Sequence, residues 1–286
     1  MKQKVGLVVE GGGMKCAYSA GILDAFLDND INFEYCIGVS GGAGNLASYL
    51  SGQRGRNLRF FAEHTRAPEY FGIRSLLRTG DLFGLEYIYR TLSNSGGADP
   101  LDFEAFMKNP AEYRAVATDA GTGRAVYFGK ENMKQDDYRI VMASCALPAV
   151  CRPVKIDGVP YFDGGIADSI PVGRALEDGC DKLVVLLSKP RDYIRQPQKM
   201  KALYTLRCRA YPRIVEALDH RHTAYNLNLR KVYDLEKAGK AFIFAPETRV
   251  RTGTFSVDEK TAHELYDIGM ADFCRESARL MEYIEG

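Results

Sequence analysis

The chain opens on a short run without a polar side chain, Val5-Gly6-Leu7-Val8-Val9, closed by Glu10. A continuous apolar run of this length predicts a strand covered on both faces, because a half-exposed strand would alternate. Met14–Leu27 then changes period, with Tyr18, Ile22, Ala25 and Phe26 on one side of a predicted helix. Phe33–Val39 is a second buried strand, followed by a helix of very small residues to Leu50 and another near Leu58–His64. Arg114–Thr118 and Arg124–Phe128, joined through Asp119 to Gly123, form a predicted hairpin. Tyr138–Ala146 reads as helical and stops before Pro148, and Val154–Ile156 and Tyr161–Phe162 bracket the turn Asp157-Gly158. Leu183–Leu187 is an all-apolar strand. After a linker at Pro190–Pro197 come helical segments to Leu235, a short strand at Ala241–Ala245 and a long amphipathic helix over Asp258–Ile284. This alternation predicts an α/β fold with a mainly parallel central sheet and helices on both faces.

A length of 286 residues suits one large domain or a domain with an appendage. The expected division is a catalytic part at 1–190 and a C-terminal extension at 191–286, made of a basic helical segment, one strand and the long helix, packed on the same core. The formal net charge of +1 argues against nucleic acid as a partner. It hides an asymmetry, since Lys189 to Lys231 holds eleven basic residues against three acidic ones. The seven cysteines are scattered, with no metal-ligand spacing, and read as reduced, mostly buried thiols. The first strand begins too early for a secretory signal, and no apolar run approaches the ~20 residues of a membrane span. The expectation is a cytoplasmic protein whose contact with a membrane is transient and peripheral.

Candidate chemistry centres on Gly38-Val39-Ser40-Gly41-Gly42, a serine fenced by glycines between a predicted strand and a predicted helix. A serine on so sharp a turn presents its hydroxyl outward, and the helix start behind it offers free N–H groups to a developing anion. Glu10-Gly11-Gly12-Gly13-Met14 closes the first strand in the same way, bringing backbone amides close to a ligand. Nucleotide binding is disfavoured: a P-loop needs Gly-Lys-Ser/Thr, whereas Lys15 is followed by Cys16, and no acid closes the second strand. An oxyanion hole fits the glycines better. Lys15 either pins this loop through carbonyl contacts or sits near a substrate phosphate. His64, His220, His222 and His263 all fall in helix-like stretches, none beside a glycine turn. Asp163-Gly164-Gly165 follows a predicted strand and reads either as an ordinary turn or as a carboxylate at the catalytic edge.

Gly11–Cys16, the Gly38–Gly42 motif, Ala143-Ser144-Cys145-Ala146-Leu147-Pro148 and Asp163-Gly164-Gly165, in that order, resemble the patatin-like phospholipases. The resemblance covers roughly the first 190 residues, and the tail resembles the extension of one bacterial branch. It implies a three-layer α/β/α fold and a Ser–Asp dyad. Ser40 is then the nucleophile, Asp163 the general base, and the backbone of Gly11, Gly12 and Gly13 the oxyanion hole, without metal or cofactor. Cys16 stands where the family usually has glycine, which bears on the packing of the loop. The implied activity is a lipid acyl hydrolase of phospholipase A or lysophospholipase type. The alternatives are an esterase or transacylase on other lipids and a catalytically silent lipid-binding protein.

Two stretches bear on the substrate. Residues 70–85, from Tyr70 to Leu85, are rich in large apolar groups with arginines between, and either wall or cover an acyl pocket or simply pack. In the basic stretch, Arg207, Arg209, Arg213 and Arg221 either face phosphate headgroups or form a solvated face paired with acidic residues.

Overall fold

Every residue of β1 (Val5–Val9) and β2 (Tyr35–Val39) is buried, as their unbroken apolar runs predict. The computed structural model describes residues 3–148, 150–247 and 258–286. Six further strands complete the sheet among these residues: β3 Glu112–Asp119, β4 Ala125–Gly129, β5 Val154–Ile156, β6 Val159–Asp163, β7 Lys182–Leu186 and β8 Ala241–Phe244. The order β3-β2-β1-β7-β8 is parallel throughout. The remaining three strands are antiparallel additions around β3.

Helices are α1 Ala17–Asp28, α2 Gly41–Leu50, α3 Arg56–Ala62, α4 Ile73–Thr79, α5 Phe103–Lys108, α6 Arg139–Ser144, α7 Val172–Glu177, α8 Lys201–Arg207, α9 Pro212–Lys237 and α10 Glu259–Glu285. Alternate residues of the parallel strands feed two cores, as the two-residue side-chain period requires. Leu7, Val9, Cys36, Val184 and Leu186 pack against α1, α2 and α10. Val8, Ile37, Val39 and Val185 pack with Val172 and Ala175 of α7 and with Tyr225, Leu229 and Val232 of α9. The result is a three-layer α/β/α arrangement in which α9 and α10, both from the C-terminal third, cover opposite faces of the sheet.

The pairing of β3 decides where the ends of β2 and β6 lie. β4 pairs with Arg114 to Thr118, β2 with Glu112 to Val116, and β6 with Ala117 to Asp119. β4 overlaps both of the others, so β2 and β6 must share the opposite edge of β3. They run in opposite directions and meet end to end, Val39 opposite Val116 and Asp163 opposite Ala117.

Most predicted elements stand where the pattern put them. The helix expected at Met14–Leu27 differs: its first turn is a tight 3₁₀ turn over Gly13–Cys16, entered through Gly13 at φ 58°, and the α-helix starts at Ala17. Within 70–108 the pattern singled out no helix. There α4, α5 and a π-helical turn at Tyr87–Leu92 are short and bury only one to two residues each, too few to mark a helical period.

α1 and α10 cross without side chains between them. A Cβ on Gly21 would sit 2.1 Å from the Tyr266 carbonyl oxygen, and one on Gly269 2.2 Å from that of Tyr18. The crossing is locked by reciprocal bonds, Tyr18 Oη to Asp272 at 2.7 Å and Tyr266 Oη to Asp24 at 2.8 Å. In an isolated helix, alanine in place of glycine would gain about 1 kcal/mol. Here the methyl must push two backbones apart, so Gly21→Ala and Gly269→Ala should each destabilise the fold by about 1–3 kcal/mol. The measurement is the urea midpoint at unchanged slope; a midpoint at or above wild type would contradict the close crossing.

Candidate active site

Ser40 caps α2 at φ 54° and ψ −129°. A non-glycine residue held there stores strain of about 1–3 kcal/mol, and such strain persists only when the surroundings dictate it. They do so through the fencing glycines. A Cβ on Gly38 would lie 2.7 Å from the amide nitrogen of Ala43, and one on Gly42 2.6 Å from the carbonyl oxygen of Val9. α2 therefore folds back on its own strand more tightly than any larger residue allows.

The glycine loop that follows β1 lies against this turn, where a Cβ on Gly11 would be 2.8 Å from Cβ of Ser40. No oxygen among the described residues accepts from the amides of Gly11 and Gly12, although the Gly12 amide faces the Cys16 sulfur. The loop is braced from behind: the Ser188 hydroxyl donates to the Gly11 carbonyl at 3.0 Å, and the Ser188 amide to Glu10 Oε2 at 2.7 Å. Glu10 Oε1 is ion-paired with Lys189 in the same buried spot. The Lys15 amide donates to the Gly12 carbonyl at 3.3 Å, but its ammonium reaches no carbonyl among the described residues and instead lines a polar cavity; the side chain that holds the loop is that of Ser188. Cys16 is fully buried and lies just 3.0 Å from where a Cβ on Gly41 would stand. Its thiol thus fills the space between loop and serine turn, which accounts for a cysteine at that position.

Asp163 ends β6 and is 1% exposed. Its backbone is held on both sides, with Thr118 Oγ1 donating to its carbonyl at 2.8 Å and its amide donating to the carbonyl of Ala146 at 2.9 Å. A Cβ on Gly164 would fall 2.1 Å from the Val116 carbonyl oxygen, so the chain leaves Asp163 pressed onto β3. Oδ1 accepts the Gly165 amide at 2.7 Å, whereas Oδ2 is buried with no hydrogen-bond partner. Burial pushes this carboxyl above its ordinary 3.8; Arg221, the nearby Ser40 hydroxyl and the Gly165 amide pull the other way without cancelling it. Ser40 and Asp163 line one cavity.

The C-terminal end of α6 and the residues just after it brace both residues. Ser144 Oγ accepts the Ser40 amide at 2.7 Å, and Ala146 supplies the carbonyl that fixes Asp163. Cys145 lies close to Ser40, but burial pushes its thiol up to about 12, so it stays protonated at neutral pH.

Two cavities meet at Ser40. One, of about 810 Å³ including its mouth, is walled by Phe60, Phe61, Tyr70, Phe71, Phe83 and Ile88. The apolar stretch 70–85 therefore contributes to a wall here, while Ile73 and Leu77 on α4 point outward at 73% and 83% exposure. The other, of about 930 Å³ including its mouth, is lined by the glycine loop, Asp163, Lys15, Lys189, Arg195 and Arg221. Of the four arginines considered for a headgroup, Arg221 alone lines it; Arg213 pairs with Glu216, and Arg207 and Arg209 are exposed on the surface.

None of the four histidines lines either cavity. His64 belongs to a separate cluster with Asp99 at 3.0 Å, and His220 and His263 are exposed. Among the described residues, no group of three or more His, Cys, Asp or Glu side chains is arranged to hold a metal ion. Sequence reasoning assigned no role to Glu10, Ser144, Ser188, Lys189 or Arg195. The available signal for Ser188 and Lys189 was their place just after an all-apolar strand, at the same sheet edge as Ser40.

The model of the patatin-like phospholipase family matches residues 7–176, and that of a domain of unknown function, DUF6363, matches residues 211–285. The chain belongs to the patatin-like phospholipase family. An uncharacterized protein, YjjU, of Escherichia coli is 28% identical over 78% of this chain and 62% of its own length. The chain thus spans about three-fifths of that relative. An uncharacterized NTE family protein of Mycobacterium bovis is 37% identical over 24% of this chain and 18% of its own. Among solved structures, VipD from Legionella pneumophila aligns with 96% of this chain and 66% of its own at 12% identity, with a TM-score of 0.47. No helix among the described residues is long and apolar enough to cross a membrane.

A raised carboxyl stabilises the fold fully only below its unfolded value, and the contribution is lost as pH rises through the folded one. Asp163→Asn keeps an oxygen for the Gly165 amide and removes the buried charge. It should therefore raise the melting temperature at pH 7–8, and the gain should vanish near pH 3–4, where wild type is itself protonated. Thermal scans across pH check this; a variant less stable than wild type at pH 8 would show that the charge is well compensated.

Proposed function

We propose that the protein hydrolyses the carboxylic esters of phospholipids or lysophospholipids through a Ser40–Asp163 dyad and an acyl-enzyme. The observation that carries this reading is the unpartnered, buried Oδ2 of Asp163 in the cavity that also holds the strained Ser40. A carboxylate whose affinity for a proton is raised by burial is a competent base for a hydroxyl beside it. Ser40 attacks the ester carbonyl while Asp163 takes its proton, and the oxyanion forms against the free amides of the Gly11–Gly13 loop. Each well-placed donor there contributes about 10²–10³ in rate. Asp163 returns the proton to the leaving alcohol; water, deprotonated in turn by Asp163, releases the fatty acid and restores Ser40.

The apolar cavity supports an acyl chain as the acid part. The exposed Ile73 and Leu77, on the helix that follows the wall residues Tyr70 and Phe71, support uptake from a lipid surface. Family membership supports a lipid ester over a peptide or small polar ester.

A fluorophosphonate probe should label wild type and leave Ser40→Ala unlabelled. Mass spectrometry of products from a mixed lipid panel should show free fatty acid with wild type. Release should fall by at least about a thousandfold in Ser40→Ala and in Asp163→Asn, and wild-type activity should decline as acid protonates Asp163. Folded protein that takes no label and releases no fatty acid would favour a silent lipid-binding role. Equal loss on replacing His220, His222 or His263 would restore a histidine-based triad.

A further inference from the structure

The polar cavity holds more positive charge than the acyl chemistry needs. The Lys15 ammonium has no hydrogen-bond or ion-pair partner among the described residues. The Arg195 guanidinium lies over the ring of Tyr225 at 5.5 Å, with no carboxylate in salt-bridge range among the described residues. Arg221 spends its Nε proton on the Gly165 carbonyl, at 2.5 Å, rather than on a carboxylate. Of the two acids lining the cavity, Glu10 is already neutralised by Lys189, and Asp163 is the base. The cations also crowd one another: Arg221 is pushed down to about 10 by burial and by Arg195, and Lys189, lowered chiefly by burial, feels Arg195 and Lys15. A half-buried cavity with more cations than carboxylates favours a bound anion.

We infer that this cavity binds the phosphate of the substrate's alcohol half, so that the preferred ester is a phospholipid or lysophospholipid whose headgroup carries no amine. This rests on the hydrolase reading above. With the ester carbonyl at Ser40 and the acyl chain in the apolar cavity, the leaving alcohol falls on the Lys15, Arg195 and Arg221 side. A headgroup ammonium would meet those same cations and be repelled. Arg195, Arg221, Tyr204 and Tyr225 all come from beyond residue 190, so the C-terminal part of the chain joins Lys15 in setting headgroup preference while the N-terminal part supplies the chemistry.

The test compares 1-acyl lysophosphatidate with the monoacylglycerol of the same chain, as the ratio of their kcat/KM values. Wild type should favour the phosphate ester. Arg195→Gln and Lys15→Gln should each lower the ratio about tenfold or more, mainly through KM, as expected for loss of one charge-assisted contact. Arg195→Lys should recover part of it, and added salt should lower the wild-type ratio. A ratio unchanged in both glutamine variants overturns the inference. Inhibition by inorganic phosphate as strong as by glycerol 3-phosphate, with no preference between the esters, assigns the site to free phosphate and also overturns it. If wild type cleaves neither ester nor any lipid of the mixed panel, the hydrolase reading fails on its own. The anion site is then judged by calorimetric binding of glycerol 3-phosphate: saturable binding weakened by Arg195→Gln sustains it, and no binding ends it.

Discussion

The site depends on one constraint of chain pairing: two strands of opposite direction share one edge of β3 and stop where they meet. Val39 is opposite Val116 and Asp163 opposite Ala117, so the residue after β2 and the last residue of β6 are neighbours by register. Short side chains therefore place both residues at one cavity. A one-residue slip of β6 would turn Asp163 to the other face of the sheet. The contacts that prevent it hold its backbone, through the Thr118 hydroxyl and the Ala146 carbonyl, together with Gly164 pressed on Val116.

Around that junction the fold separates its tasks by sheet edge and by chain segment. The loop after β1 brings free amides, the loop after β7 brings Ser188 and Lys189 to hold that loop, and the C-terminal end of α6 with the residues just after it ties Ser40 and Asp163 to a single support. α10 fixes α1, and α1 starts at the glycine loop, so the C-terminal helix steadies the amides from the far end. α9, on the other face, delivers Arg221 and Tyr225 to the polar cavity. The long-range contacts thus run from both ends of the chain into the space of a few residues.

The parallel strands were legible in the sequence because complete burial on both faces erases alternation and leaves continuous apolar runs. The turns at Ser40, Gly11–Gly13 and Asp163 were legible because sharp turns at strand ends demand glycine on one or both sides, but only the family resemblance singled out Asp163 from an ordinary Asp-Gly turn. Contributors such as Ser144 and Arg195 carry no such mark: a hydroxyl that accepts one amide, or an arginine stacked on a tyrosine, leaves no spacing rule. The same holds for residues 70–108. Their short helices are held by contacts with distant elements, and tertiary packing rather than period decides them. In the basic stretch, charge alone did not separate Arg221, which enters the cavity, from Arg213, which pairs with Glu216.

The chain contains its own control for what makes an aspartate basic. Asp99 is also buried, at 6% exposure, and burial raises it as it raises Asp163. Yet Arg59 grips both of its oxygens, at 2.7 and 2.9 Å, His64 adds a third contact, and its carboxyl ends below the ordinary value. Arg221 stands near Asp163 but donates to the Gly165 carbonyl, leaving Oδ2 open and the net shift upward. Gripping a carboxylate and merely facing it thus shift two buried aspartates in opposite directions. An arginine bonded directly to Asp163 would stabilise the resting charge and weaken the base. Held two residues along the chain, on the Gly165 carbonyl, it tempers the cost of burying that charge and leaves Oδ2 without a donor.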